Sequence, residues 1–122
     1  MIIGIGIDIE STNRFRKMKK NILEKVLKRI LTEKELKYCL ARKNPFPCIT
    51  GRFCAKEAFL KALGFEDFHI FEWKEMEIIG KPPKLNIYGK VKEILGNKKI
   101  KNIWVSISHT SEYATAIVIL EK

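Results

Sequence analysis

The chain has 122 residues, enough for one compact domain spanning 1–122 with its own core and a squeeze for two. Apolar residues make up 46% and charged residues 31%, the balance of a soluble globular protein, and no apolar run approaches the roughly 20 residues needed to span a bilayer. A net charge of +10 calls for an acidic partner, whether nucleic acid, an anionic membrane surface, a polyphosphate or an acidic protein. The three cysteines, Cys39, Cys48 and Cys54, are odd in number and lack metal-ligand spacing. They are expected to be free thiols in a reducing compartment. The amino terminus opens directly into isoleucine-rich alternation rather than a secretory leader, so the expected location is the cytoplasm.

Residues 2–9 alternate as a strand, with Ile3, Ile5, Ile7 and Ile9 on one face and Gly4, Gly6 and Asp8 on the other. Glycine weakens a strand, and strands keep it where something must approach the backbone. Glu10, two residues past Asp8, points the same way if the extended conformation persists. Such a pair of carboxylates either binds a divalent cation or runs into a solvated turn.

Ser11 or Thr12 is placed to cap a helix. If the basic segment that follows is one continuous helix, Arg14, Lys17, Lys25 and Lys28 form a stripe beside Phe15, Met18, Ile22 and Val26, with Asn21 a possible interruption. Thr32-Glu33-Lys34-Glu35 has the form of a capping box and predicts a second short helix through about Leu40. Asn44-Pro45-Phe46-Pro47 reads as a rigid loop that ends it.

A third helix is predicted from about Thr50 to Leu63, closed by Gly64. It places Phe53, Glu57 and Lys61 on one stripe, with Arg52 at its start. The pattern suits either an ordinary surface ion pair or the grip on a metal ion and phosphate oxygens. From Gly64 to Trp73 an aromatic and acidic stretch has no assignable element, and His69 within it reads as structural.

Beyond it the sequence predicts a strand over Met76–Ile79, a turn at Gly80-Lys81-Pro82-Pro83, a strand over Lys84–Tyr88 and a short helix over Lys90–Leu95. An antiparallel hairpin follows, Ile103–Ser108 and Tyr113–Leu120, joined by His109-Thr110-Ser111-Glu112. Trp104, Ser106 and Ser108 share one of its faces. One strand, a helical block, then mostly strands make an α+β domain, an antiparallel-rich sheet with helices packed on one face.

No nucleophile elbow, phosphate-binding Gly-x-x-x-x-Gly-Lys loop or zinc-binding His-Glu-x-x-His is present. The remaining chemistry is a carboxylate set (Asp8, Glu10, Glu57), two cations (Arg52, Lys61) and a polar loop (Ser108, His109, Thr110). Hard oxygen ligands suit magnesium, and phosphoryl transfer rests largely on positioning and charge neutralisation.

Four stretches carry a resemblance: Gly4-Ile5-Gly6-Ile7-Asp8, Gly51-Arg52-Phe53-Cys54-Ala55-Lys56-Glu57-Ala58, Gly80-Lys81-Pro82, and Val105-Ser106-Ile107-Ser108-His109-Thr110. In their order and approximate spacing they resemble the signatures of the holo-acyl-carrier-protein synthases, the small class of 4′-phosphopantetheinyl transferases. The resemblance implies the fold of that family. It also implies transfer of phosphopantetheine from coenzyme A to a serine of an acyl carrier protein, with release of adenosine 3′,5′-bisphosphate.

By motif match, Asp8 and Glu57 would hold Mg2+ on the coenzyme A pyrophosphate, and Lys61 would neutralise phosphate charge. Arg52, His109 and Thr110 would bind the nucleotide end, and Lys81, Pro82 and Ser108 belong to the same coenzyme A motifs. Asp8-Ile9-Glu10 is similar to the Asp-x-Glu of the larger transferases, which makes Glu10 a candidate third metal ligand. The serine proton would pass to Glu57 or to a water on the cation. Arg14, with Lys17, Met18 and Lys25, would dock the acidic carrier protein. The family implies a homotrimer with active sites between subunits. Two rivals, a basic nucleic-acid-binding module and a metal-dependent nuclease, have no use for His109-Thr110 or the Gly80-Lys81-Pro82 turn.

Overall fold

In the computed structural model, which describes residues 1–64 and 72–122, the alternating amino-terminal segment forms strand β1, Ile2–Ser11. Four helices follow: α1, Asn13–Arg16; α2, Lys20–Ile30; α3, Glu33–Leu40; and α4, Phe46–Leu63. A 3-10 turn at Trp73–Glu75 leads into β2, Met76–Ile79, and β3, Lys84–Ile87. Helix α5, Gly89–Asn97, and the strands β4, Asn102–His109, and β5, Tyr113–Glu121, complete the described chain. The unassigned aromatic stretch, His69 included, lies outside the described residues except for Gly64, Glu72 and Trp73.

β1, β5 and β4 form an antiparallel sheet in that order, with Ile7 opposite Ile117 and Ile107 opposite Ala116. β2 and β3 pair separately as an antiparallel hairpin, so the expected single sheet is two. The layer order, helices on one face of antiparallel strands, is the predicted α+β arrangement.

Helix α4 is the centre of the packing. It is apolar on nearly every side and buried from Pro47 through Leu60 except at Glu57, as befits a helix covered all round. Its Ala55, Ala58, Phe59 and Leu60 pack with Ala114, Ala116, Val118 and Leu120 of β5. On its other side Ile49 and Phe53 join Phe15, Leu27, Ile30 and Leu31 in a second cluster.

The glycine face of β1 explains itself here. A Cβ on Gly6 would lie 1.8 Å from the Ala58 carbonyl oxygen, and one on Gly4 would lie 2.2 Å from that of Ala62. The helix backbone is therefore what comes close to this strand.

The isoleucine face points away from the helix and is uncovered. Ile5, Ile7 and Ile9 are 60%, 62% and 66% exposed, and Trp104 is 58% exposed on the same side of the sheet.

Three local expectations change. The basic segment is not one helix: α1 ends at Arg16 and α2 starts at Lys20, so the break falls before Asn21 and the stripe is split. Both pieces pack into the second cluster, α1 through Phe15 and α2 through Leu27 and Ile30. Helix α4 starts at Phe46 rather than Thr50, because Pro47 sits in its first turn, where a missing N–H breaks no bond. Cys39 and Cys48 form a disulfide, their Cα atoms 5.4 Å apart where the end of α3 meets the first turn of α4. Cys54 alone is the expected free thiol, and it is buried.

The capping box forms as predicted. The Thr32 hydroxyl accepts from the Glu35 N–H at 3.3 Å, and Glu35 Oε1 accepts from the Thr32 N–H at 2.9 Å. Gly64, at φ 83°, closes α4 in the left-handed region.

Candidate active site

The contact between β1 and α4 brings the predicted carboxylates to one edge of the sheet. Lys61, at the end of the Phe53–Glu57–Lys61 stripe in α4's last turn, reaches across to β1. Its Nζ donates to Asp8 Oδ1 at 3.1 Å and to the Ile7 carbonyl at 3.0 Å. The sequence pairs Lys61 with Glu57 on one helical stripe, whereas its ion pair in the structure is with Asp8.

Asp8 Oδ2 is buried and lacks a hydrogen-bond partner among the described residues. Burial, then the charges of Asp8 and Glu10, push the Glu57 carboxyl above its ordinary value, against the opposing pull of Arg14 and Lys61. The same burial and acidic neighbours hold the Cys54 thiol neutral; it donates to the Ala114 carbonyl at 3.3 Å.

An orphaned buried carboxylate oxygen beside a carboxyl strained by like charge is an environment that a divalent cation relieves. The residues present therefore fit magnesium. The Glu10 carboxylate, two residues along β1 from Asp8, accepts from Arg14 Nη1 at 3.0 Å. Among the described residues no three Asp, Glu, His or Cys side chains gather as a metal-holding group. Asp8 and Glu57 are the two carboxylates that would hold magnesium, an ion that needs only one or two protein carboxylates beside water and phosphate oxygens.

A cleft of about 310 Å³ opens beside Glu57. Phe15, Met18, Phe53 and Trp73 give it apolar walls, and Arg14 and Arg29 stand among its lining residues. The Arg14 guanidinium also lies 4.7 Å from the Phe53 ring centroid, so its position is fixed from two sides. Of the four predicted docking residues, Arg14 and Met18 line this cleft. Lys17 and Lys25 are exposed outside it, and Arg29, which the sequence reading omits, takes a place on its wall.

The predicted nucleotide-binding residues divide into two groups. Arg52 is 8% exposed, its guanidinium 4.4 Å from the centroid of Tyr38, and its Nε is buried without a partner among the described residues. Lys81 Nζ lies 6.0 Å from the same ring, and Arg42 lies 4.8 Å away and donates to the Tyr38 hydroxyl at 2.7 Å. Burial raises the Tyr38 phenol, but hydrogen bonds from Lys81 and Arg42 outweigh it and hold the group below its ordinary value. Three cations thus converge on one ring. Tyr38 and Arg42 are missing from the sequence reading, although their spacing of four residues across the end of a predicted helix was the available sign.

Ser108, His109 and Thr110 sit at the far edge, where β4 turns into β5, and all three are exposed. His109 pairs with Ala114, which pairs with Glu10, so β5 separates His109 from the acidic edge by about 10 Å. Ser108 lies opposite Thr115, which lies opposite Ile9, on the uncovered isoleucine face. The Thr110 hydroxyl accepts from the Tyr113 N–H at 3.0 Å and shapes the turn. Pro82 follows Lys81 in the turn before β3 through a cis peptide bond.

Residues 4–118 match the family described as the 4′-phosphopantetheinyl transferase superfamily. A holo-[acyl-carrier-protein] synthase of Chlamydia caviae is 40% identical over 117 residues, covering 94% of this chain and 93% of its own length. The crystal structure of a Bacillus anthracis holo-(acyl-carrier-protein) synthase in complex with CoA (3′,5′-ADP) superposes with a TM-score of 0.78 at 34% identity, covering 98% of this chain and 96% of that one. A Helicobacter pylori holo-[acyl-carrier-protein] synthase in complex with coenzyme A superposes with a TM-score of 0.81 at 31% identity, covering 96% of this chain and 99% of that one. With matches that run nearly end to end in both sequence and structure, this chain belongs to the 4′-phosphopantetheinyl transferase superfamily, in the company of its holo-[acyl-carrier-protein] synthases.

Proposed function

We propose that the chain transfers 4′-phosphopantetheine from coenzyme A to a serine hydroxyl of an apo-acyl carrier protein and releases adenosine 3′,5′-bisphosphate. The observation that carries this reading is the ion pair by which Lys61 of α4 reaches Asp8 of β1, one helical turn from Glu57, which lines the cleft. Asp8 and Glu57 would hold Mg2+, which when bound supplies positive charge to the diphosphate of coenzyme A. Lys61 is a flexible ammonium half-exposed at the same edge, and it stabilises negative charge growing on the departing phosphate. The serine Oγ forms the new bond to the pantetheine-side phosphorus, and the bond to the bridging oxygen breaks with adenosine 3′,5′-bisphosphate. Glu57, the carboxylate that lines the cleft, accepts the serine proton.

Arg52 and Lys81, with Arg42 and the Tyr38 ring, offer a cationic seat for the 3′-phosphate of coenzyme A. Pro82, Ser108, His109 and Thr110 complete the coenzyme A contacts. The carrier protein, being acidic, approaches over Arg14, Met18, Lys17 and Lys25.

The open face of the sheet supports assembly as a homotrimer. A row of Ile5, Ile119 and Trp104 beside a row of Ile7 and Ile117 forms an apolar surface of the kind that marks an interface. Ser108 ends the next row, beside Ile9 and Thr115, so a subunit covering this face meets the Ser108–Thr110 loop. That arrangement supports active sites shared between copies. Coenzyme A and carrier protein as substrates fit a cytoplasmic enzyme, and no helix of the described residues is long and apolar enough to cross a membrane.

Mass spectrometry of apo-carrier protein incubated with the chain, coenzyme A and magnesium tests the reading. The expected result is a gain of one phosphopantetheinyl group on the serine. An unmodified carrier beside a cleaved oligonucleotide under the same conditions would transfer the case to the nuclease reading.

A further inference from the structure

Lys56 lies within the signature of α4, immediately before Glu57, and has no assigned part in the reaction. It is fully buried. Its ammonium donates to Glu35 Oε1 at 2.7 Å, to the Ile30 carbonyl at 2.7 Å and to the Trp73 carbonyl at 3.3 Å. The three acceptors belong to three segments: the amino-terminal turn of α3, the last residue of α2 and the first residue of the 3-10 turn.

Glu35 extends the network further, its Oε1 capping Thr32 and its Oε2 accepting from the Ile78 N–H of β2 at 2.9 Å. All three lysine protons and both carboxylate oxygens are used. Apolar residues of similar volume can replace a buried ion pair with little loss of stability, so the pair's presence asks for a geometric explanation.

Two of the segments that Lys56 ties down also form the cleft at Glu57. Ile30 and Trp73 line it together with Phe53 and Glu57 of α4. The ammonium thus fixes two neighbouring wall residues to the helix that carries the carboxylate, through their backbones. Coenzyme A's proposed cationic seat is built on other residues, Tyr38 with Arg42, Arg52 and Lys81.

We propose that Lys56 is a positioning residue which sets the shape of the cleft at Glu57 by holding the Ile30 and Trp73 backbones, and so governs the approach of the carrier-protein serine. The proposal rests on the transferase reading given above. Lys56 touches neither substrate and acts through the walls it holds.

The test compares wild type with Lys56→Met and with Lys56→Met/Glu35→Gln. The second variant removes the buried negative charge that the first leaves unpaired. Melting temperature, KM for coenzyme A, and kcat and KM for apo-carrier protein are read for each.

A wild type that modifies no carrier refutes the transferase reading itself and is recognised before any variant is compared. Given an active wild type, the expected result is a folded double variant whose KM for coenzyme A stays within about twofold while kcat/KM for carrier falls at least about tenfold. Equal losses toward both substrates, or full activity in the double variant, would overturn the proposal. So would a double variant that does not fold, since Lys56 would then be a requirement of the whole fold rather than of the cleft.

Discussion

Substituting Gly6 by alanine tests whether the close approach of β1 and α4 is what builds the site. The added Cβ would stand 1.8 Å from the Ala58 carbonyl oxygen, 2.7 Å from the Ala62 nitrogen and 2.9 Å from the Ala58 carbonyl carbon. All three are backbone atoms, so no rotamer change relieves the clash, and strand and helix must part by about 1.5 Å. Overpacking of this kind costs about 3 kcal/mol, the upper part of the usual range. For a chain of this length that corresponds to a fall in Tm of about 12 °C.

The separation also draws Asp8, two residues along β1, away from the Lys61 ammonium that now stands 3.1 Å from it. A displacement of about 1 Å at reacting groups lowers kcat by about a hundredfold. Gly96→Ala is the matched control. Its Cβ meets nothing within 4 Å, and it lies in α5, where alanine gains about 0.5–1 kcal/mol over glycine. Calorimetry and steady-state transfer to carrier protein read both quantities. A Gly6→Ala protein as stable and active as wild type would refute the account of the glycine face and, with it, the claim that this contact positions Asp8.

Other variants separate the parts of the site. Glu57→Gln should abolish turnover while folding is retained. Its carboxyl faces Asp8 and Glu10 on β1, Arg14 on α1, Arg29 on α2 and Lys61 on α4, and is held above the unfolded value of 4.5. A raised folded pKa means stability that is fully present below the unfolded value and lost as pH rises through the folded one. In chelator the Gln variant should therefore melt higher than wild type at neutral pH, with the gap closing below about pH 4. Arg14→Glu should raise KM for carrier protein well above its effect on KM for coenzyme A, and the difference should shrink at high salt. Arg52→Ala should raise KM for coenzyme A by about ten- to a hundredfold, the value of a charge-assisted contact, and by far less for dephospho-coenzyme A, which lacks the 3′-phosphate.

The strands, the capping box at Thr32 and the left-handed close at Gly64 were legible because each is a local signal with a local cause. What alternation could not say is which face of β1 meets the core. Isoleucines outrank glycines as core residues, yet the helix backbone sits so near the strand that only glycine fits, and the isoleucines are left for another surface. The break between α1 and α2 was signalled only near its true place, by Asn21, because Lys17 and Lys19, which lie in it, are competent helix residues. The Cys39–Cys48 bond, likewise, follows from the meeting of two helix ends and not from spacing. Asp8, Glu57 and Lys61 could be named from motifs, but their pairing could not: a helical stripe proposes Glu57 with Lys61, and the strand beneath the helix takes the lysine instead.

Lys56 shows why such reassignment has consequences for function. Read along the helix it is one more exposed cation beside a carboxylate, while the capping residue Glu35 looks spent on its own helix. Folding brings the two into a dry contact 2.7 Å long that also holds the ends of α2 and the 3-10 turn. The charged residues of α4 therefore do opposite things within six positions. Lys56 is buried and locks the walls, Glu57 is half-buried and faces the cleft, and Lys61 stays exposed, bonded to β1. A phosphoryl-transfer site needs both kinds, because preorganised charge stabilises a transition state only if the framework around it does not yield.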